Sequence, residues 1–146
     1  MPLPAKYTLG VSVIAAFSLL TLLESLIDNR EGRLTFDHTP YIPLAIAGSL
    51  GEFIVDTGFG GAIYLSEDRI ASLNLPFLTS APIILANQSV VISDVFEATV
   101  VWFAVARRVA VIAGPLGCDA LVGMELLKGC RIELDDVAGE VRIALL

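Results

Sequence analysis

Short apolar runs separated by turn residues fill the chain from Gly32 onward, and their period of two predicts a compact all-β domain with one or two short helices. Arg33 to Asp37 alternates weakly as an opening strand. Tyr41 to Ala47 places Ile42, Leu44 and Ile46 on one face. Gly48-Ser49-Leu50-Gly51 then turns the chain into Glu52 to Val55, so the pattern predicts a hairpin that delivers Asp56. Pro40 and Pro43 suit the start or edge of a strand, where a missing N–H costs little. A strand over Ala62 to Leu65 follows the turn Gly58-Phe59-Gly60-Gly61. Ser66 as N-cap, Glu67 and Asp68 in the first turn, Asn74 as left-handed cap and Pro76 beyond it predict a helix over Glu67 to Leu73. Pro82 to Leu85 and Val90 to Ser93 flank the polar tip Ala86-Asn87-Gln88-Ser89 as a second hairpin, and Val95 to Phe103 with Arg108 to Ala113 forms a longer pair. Ala120-Leu121-Val122-Gly123 is a short apolar strand, and Met124 to Lys128 a short helix stopped by Gly129. In the last hairpin Cys130, Ile132 and Leu134 alternate, Asp136 to Gly139 turns, and Val141, Ile143 and Leu145 alternate again.

The first part of the chain obeys a different pattern. Tyr7 to Leu23 carries no charge and spans about 17 residues, the lower edge of what crosses a bilayer; it lengthens through Leu26 and Ile27 if Glu24 sits near the boundary. Three readings of residues 7–27 stand: a membrane anchor, a hydrophobic helix docked on the domain or its dimer partner, or a leader created by an upstream start codon. The protein is accordingly cytoplasmic or membrane-anchored. Lys6 is balanced by Arg30 and Arg33, so the flanks set no orientation. The composition shift divides the chain into a hydrophobic amino-terminal helix with linker, 1–31, and a β domain, 32–146.

Charge and composition narrow the function classes. A net charge of −7 with nine scattered basic residues excludes a nucleic-acid surface, which needs clustered Lys and Arg. Cys118 and Cys130 match no metal-ligand spacing, and His38 is the only histidine, so no metal and no cofactor is expected. The cysteines read as free thiols. A serine hydrolase fails on its base, since His38 reads as a loop residue and no Gly-x-Ser-x-Gly occurs. Gly58-Phe59-Gly60-Gly61 is not a dinucleotide turn, because Ile63 stands where a small residue is needed and a strand follows instead of a long helix. Asn87-Gln88-Ser89 fits the glycosylation sequon but reads as a polar turn, and Trp102 as core or dimer surface.

Asp56-Thr57-Gly58 is the chemically informative triplet: a carboxylate delivered by the apolar run Phe53-Ile54-Val55 into a glycine turn. It occurs once, and no internal repeat supplies a second copy. Over about 115 residues the segments fall in an order that resembles the retropepsin-like (retroviral-type, clan AA) aspartic proteases, and among them the small prokaryotic members. Leu34-Thr35-Phe36 with Thr39-Pro40-Tyr41-Ile42 is similar to the family's opening strand. The stretch from Ile46 to Gly58 resembles its hairpin into the catalytic loop, and Phe96 to Trp102 its middle strand. Ala120 to Leu127 resembles its apolar-apolar-Gly strand and following helix.

The resemblance implies a retropepsin-like acid protease barrel and an aspartic endopeptidase. In it Asp56 and its mate from a second copy face one water in a homodimer that cleaves polypeptide. By resemblance Thr57 hydrogen-bonds across the dimer axis, and Gly58 keeps the loop clear of a Cβ. Leu121 and Val122 back the turn, and Gly123 lets their strand pass close behind it. Ala86, Asn87, Gln88 and Ser89 fall at the tip of the flap that closes on substrate. The competing reading is a catalytically inactive dimerisation or peptide-binding module of the same fold.

Overall fold

The computed structural model describes residues 29–146; the expected hydrophobic segment 7–27 lies outside the described residues. Ten strands and two short helices follow in the order β1 (Asn29–Leu34), β2 (Pro40–Ile46), β3 (Ser49–Val55), β4 (Ile63–Ser66), α1 (Glu67–Leu73), β5 (Phe77–Ile84), β6 (Val90–Trp102), β7 (Val105–Gly114), β8 (Leu121–Val122), α2 (Met124–Leu127), β9 (Cys130–Asp135) and β10 (Glu140–Leu145). They make one sheet in the order β5-β6-β7-β4-β8-β3-β2-β1-β10-β9. The sheet curls until β6 meets β2, with Ile46 opposite Val100 and the Ala47 amide donating to the Thr99 carbonyl at 3.0 Å. An all-β, barrel-like body results.

Alternation decides which face goes inside. Ile42, Leu44 and Ile46 of β2 and Phe53 and Val55 of β3 are buried, while Pro43 between them is exposed. They join Ile63, Leu65, Val100, Val111, Val122, Leu126 and Ile143 in one core. Helix α1 inserts Ile70 into that core and ends at Asn74, whose left-handed φ of 51° is the cap expected from its short polar side chain. The Ser66 side chain makes no cap bond. From α1 the Arg69 guanidinium lies 5.1 Å above the Phe53 ring. Gly51 makes room for it, since a Cβ there would sit 1.8 Å from an Arg69 nitrogen.

Several boundaries differ from those the pattern predicts. β1 opens at Asn29, ahead of Gly32, and closes at Leu34, because the Thr35 amide bonds to the Thr39 carbonyl at 3.0 Å and closes a turn where a strand over Arg33 to Asp37 is expected. Arg30 anchors that early start. It is 4% exposed, donates from Nη1 to the Pro43 carbonyl at 3.0 Å and from Nη2 to the Val101 carbonyl, and lies 4.6 Å above the Trp102 ring. Burial, with no carboxylate partner among the described residues, pushes its pKa down to about 10. The β2–β3 turn falls at Ala47-Gly48, both at positive φ, with Ser49 already paired to Ile46. Val90 to Trp102 is one strand of 13 residues, not two, because β7 pairs with it from Val95 onward and β5 across its first half. It ends in a two-residue turn at Phe103-Ala104, again at positive φ.

Candidate active site

The topology puts β8 between the two strands that flank Asp56. β3 runs parallel to β8, with Ile54 opposite Leu121 and Val55 opposite Val122; β4 runs antiparallel to it, with Tyr64 opposite Leu121 and Ile63 opposite Val122. The chain leaving β3 must therefore arch over the end of β8 to enter β4. Asp56 begins that arch, its amide donating to the Val122 carbonyl at 2.9 Å, while the Ile54 amide bonds to the Ala120 carbonyl at 2.8 Å. Asp56 is half-buried. Its Oδ1 accepts the Gly58 amide at 2.8 Å, an Asx-type turn that aims the side chain, and the Phe59 amide donates to the Asp56 carbonyl at 3.2 Å.

Gly123 is where the arch and β8 come closest. A Cβ there would lie 2.3 Å from the Gly61 carbonyl oxygen and 2.5 Å from that of Phe59, so only glycine fits. The same crowding satisfies the start of α2. The Gly123 amide donates to the Ala62 carbonyl at 3.0 Å, the Met124 amide to the Phe59 carbonyl at 2.8 Å and the Glu125 amide to the Gly61 carbonyl at 3.2 Å. Helix α2 thus needs no side-chain cap, and Leu126 and Leu127 fix it in the core.

Asp56, Thr57 and Gly58 are therefore brought together with Leu121, Val122 and Gly123 from a second stretch of the chain. Val122 is fully buried and Leu121 half-buried, whereas Thr57 and Gly58 are exposed at the crown of the loop. A Cβ at Gly58 would meet only the Asp56 Oδ1, at 3.2 Å, so nothing among the described residues crowds that position. Ala86, Asn87, Gln88 and Ser89 lie apart from them, at the tip of the β5–β6 hairpin. The Leu85 amide bonds to the Ser89 carbonyl at 2.9 Å, the Gln88 amide to the Leu85 carbonyl at 2.8 Å, and Gln88 has φ of 66°. The Asn87 side chain holds the tip by accepting the Ser89 amide at 3.0 Å. Ile84, Val90 and Ile92 are exposed on this hairpin.

Two residues in this region make contacts that the sequence pattern did not assign to them. Phe59 packs its ring edge-on against Tyr64, with centroids 6.0 Å apart, and tightens the arch from inside; an aromatic residue among glycines was the available signal. Asp68 accepts the Gly117 amide at 3.1 Å and so ties the loop between β7 and β8 to α1. That bond, with the Ser66 hydroxyl second, holds the Asp68 carboxyl below the usual range. Burial raises the Tyr64 phenol, and it raises the Cys118 thiol with help from Asp119 and Asp68. Cys118 and Cys130 are free. Among the described residues no group of His, Cys, Asp or Glu could hold a metal ion, and no helix is long and apolar enough to cross a membrane.

No protein-family model matches the chain, and no curated protein matches it in sequence. Solved structures do. A retropepsin-like aspartic protease from Rickettsia conorii superposes with a TM-score of 0.59 at 17% identity, covering 80% of this chain and 90% of that one. EIAV protease, in complex with the inhibitor HBY-793, superposes with a TM-score of 0.55 at 12% identity, covering 64% of this chain and 89% of that one. Likeness at such identity speaks for architecture. The chain has the retropepsin-like fold.

Proposed function

We propose that the protein is an aspartic endopeptidase whose active site forms between two copies of the chain, each contributing Asp56. The observation that carries this reading is the carboxylate of a half-buried Asp56, aimed by the Gly58 amide at the start of the arch over β8, in a fold whose solved examples include aspartic proteases. Because the triplet occurs once, the second carboxylate has to come from a second copy. Two such carboxylates facing each other retain one proton between them, since adjacent like charges disfavour double ionisation. The ionised one takes a proton from a water that attacks the peptide carbonyl. The protonated one gives its proton to the carbonyl oxygen, forming a gem-diol; the nitrogen is then protonated as the C–N bond breaks. Thr57 spans to its mate across the two-fold axis, and Leu121, Val122 and Gly123 hold each loop in place.

The polypeptide substrate lies extended beneath the hairpin tipped by Ala86 to Ser89, bound as an added strand. The exposed apolar residues Ile84, Val90 and Ile92 supply part of its cover. Asp56→Asn keeps the shape and removes the acid-base function. It should lower peptide cleavage by about 10³-fold or more while circular dichroism and oligomeric state stay as in the wild type. Undiminished cleavage by that variant would end the proposal. Peptide binding that survives the substitution, with no turnover by the wild type from acid to neutral pH, would instead assign a peptide-binding module.

A further inference from the structure

Strand β9 ends the sheet: β10 pairs with it on one side, and among the described residues no strand follows on the other. One bond fixes which of its backbone groups are left open. The Leu146 amide donates to the Gly129 carbonyl at 3.0 Å, continuing the register that sets Cys130 opposite Leu145. Antiparallel bonding alternates, so Gly129, Arg131, Glu133 and Asp135 turn their amides and carbonyls to β10, while Cys130, Ile132 and Leu134 turn theirs to the open edge. The side chains alternate as well. Cys130 and Ile132 pack against the core from one face, yet Leu134 on that face is 54% exposed. Arg131 and Glu133 are exposed on the other face. Arg131 has no ion pair among the described residues, and Glu133 has only a 3.6 Å contact with Arg142. A free edge of this kind is a template for a further strand.

We infer that this strand is β9 of a second copy of the chain, paired antiparallel about a two-fold axis at Ile132; the bearing of the pairing on catalysis rests on the proposed function. Residues open to the edge must meet residues open to the edge, which restricts the register, and charge then selects within it. With Ile132 opposite Ile132 of the second copy, Arg131 faces Glu133 of that copy and Glu133 faces its Arg131. Both are non-hydrogen-bonded pairs, where side chains approach most closely. On the other face Leu134 comes to lie against Cys130 of the second copy, which covers its exposed surface. Moving the axis one residue either way sets Glu133 on Glu133 or Arg131 on Arg131. Charges of one sign would repel a second copy, whereas the alternating signs of β9 match themselves, as a closed two-fold dimer requires. Helix α2 alone separates β9 from the arch, and its first amides hold the Phe59 and Gly61 carbonyls, so copies joined at β9 carry their Asp56 loops with them.

The test uses full-length chains, with dimer dissociation read by analytical ultracentrifugation and peptide cleavage read beside it. Arg131→Glu places acids opposite each other at both junctions, and Glu133→Arg places cations there. Each variant alone should raise the dimer dissociation constant by about tenfold or more, with circular dichroism as in the wild type. Mixed in equal amounts, the two variants are complementary at both junctions. The mixture should regain dimers within about threefold of wild-type strength, and cleavage with them, which a folding defect in either chain would not allow. Homodimers of wild-type strength from either variant, or a mixture that pairs no better than its parts, overturn the inference while leaving the endopeptidase standing. Dimers that follow this pattern but cleave no peptide from acid to neutral pH leave the β9 pairing standing and overturn the proteolytic reading. A wild-type chain that stays monomeric at every concentration overturns both.

Discussion

At the residue scale the site depends most on an atom that is not there. Gly123 has an ordinary extended backbone, so its requirement is steric and not conformational: the carbonyls of Phe59 and Gly61 occupy the space a methyl group would need. Both oxygens accept amides from the start of α2, so neither can retreat without losing a hydrogen bond. Gly123→Ala should therefore destabilise the fold by about 3 kcal/mol, at the upper end of what overpacking costs, and displace the loop that carries Asp56. Urea denaturation followed by tryptophan fluorescence from the buried Trp102 would measure it, and a loss under about 1 kcal/mol would show that the arch is more compliant than its hydrogen bonds imply. Gly58 makes the contrasting case. Among the described residues a Cβ there touches only Asp56.

At the scale of elements, two tight hairpin turns run against the usual residue preference. Ala47-Gly48 joins β2 to β3 and Phe103-Ala104 joins β6 to β7, each with positive φ at both positions, the primed geometry that matches strand twist and favours Asn or Gly. Phe103 offsets its backbone cost by burial against Trp102, with ring centroids 5.2 Å apart, but Ala47 and Ala104 are exposed and have no such compensation. Ala47→Asn and Ala104→Gly should each raise stability by about 0.5–1 kcal/mol, read as an upward shift in Tm; unchanged or lower Tm in both would refute the assignment of strain to these turns. The same turns show where the sequence is legible and where it is not. Helix α1 was readable to the residue, because its first-turn acids, Asn74 and Pro76 are local signals. The hairpin leading into Asp56 was readable from the alternation of Ile42, Leu44 and Ile46. The turn at Phe103-Ala104 carries no turn residue, and the long β6 strand is held by pairing with β5 and β7, which no local pattern encodes. The placement of β8 between β3 and β4 joins residues more than fifty positions apart, and only the resemblance anticipated it.

At the scale of the whole molecule, a chain with one Asp56 that acts through a pair must lose activity when copies are separated. On the proposed function each site forms only at the interface, so activity per subunit should fall on dilution below the dimer dissociation constant. Mixing with Asp56→Asn chains gives a sharper readout. If subunits exchange freely, an equal mixture distributes wild-type chains between pure and hybrid dimers, and hybrid dimers hold a single carboxylate. The mixture should then show about half the activity of the same amount of wild-type chain alone, since half its wild-type subunits are paired with an inert partner. Full retention of that activity would mean that each chain works by itself, and that some other group serves as the second acid. The segment 1–28 enters here through concentration. If it confines chains to a surface or to one another, it raises their effective concentration and compensates for a weak interface. Its removal should then move the dilution midpoint to higher concentration while leaving activity at saturating protein unchanged. A midpoint that does not move would place the whole drive for pairing within residues 29–146.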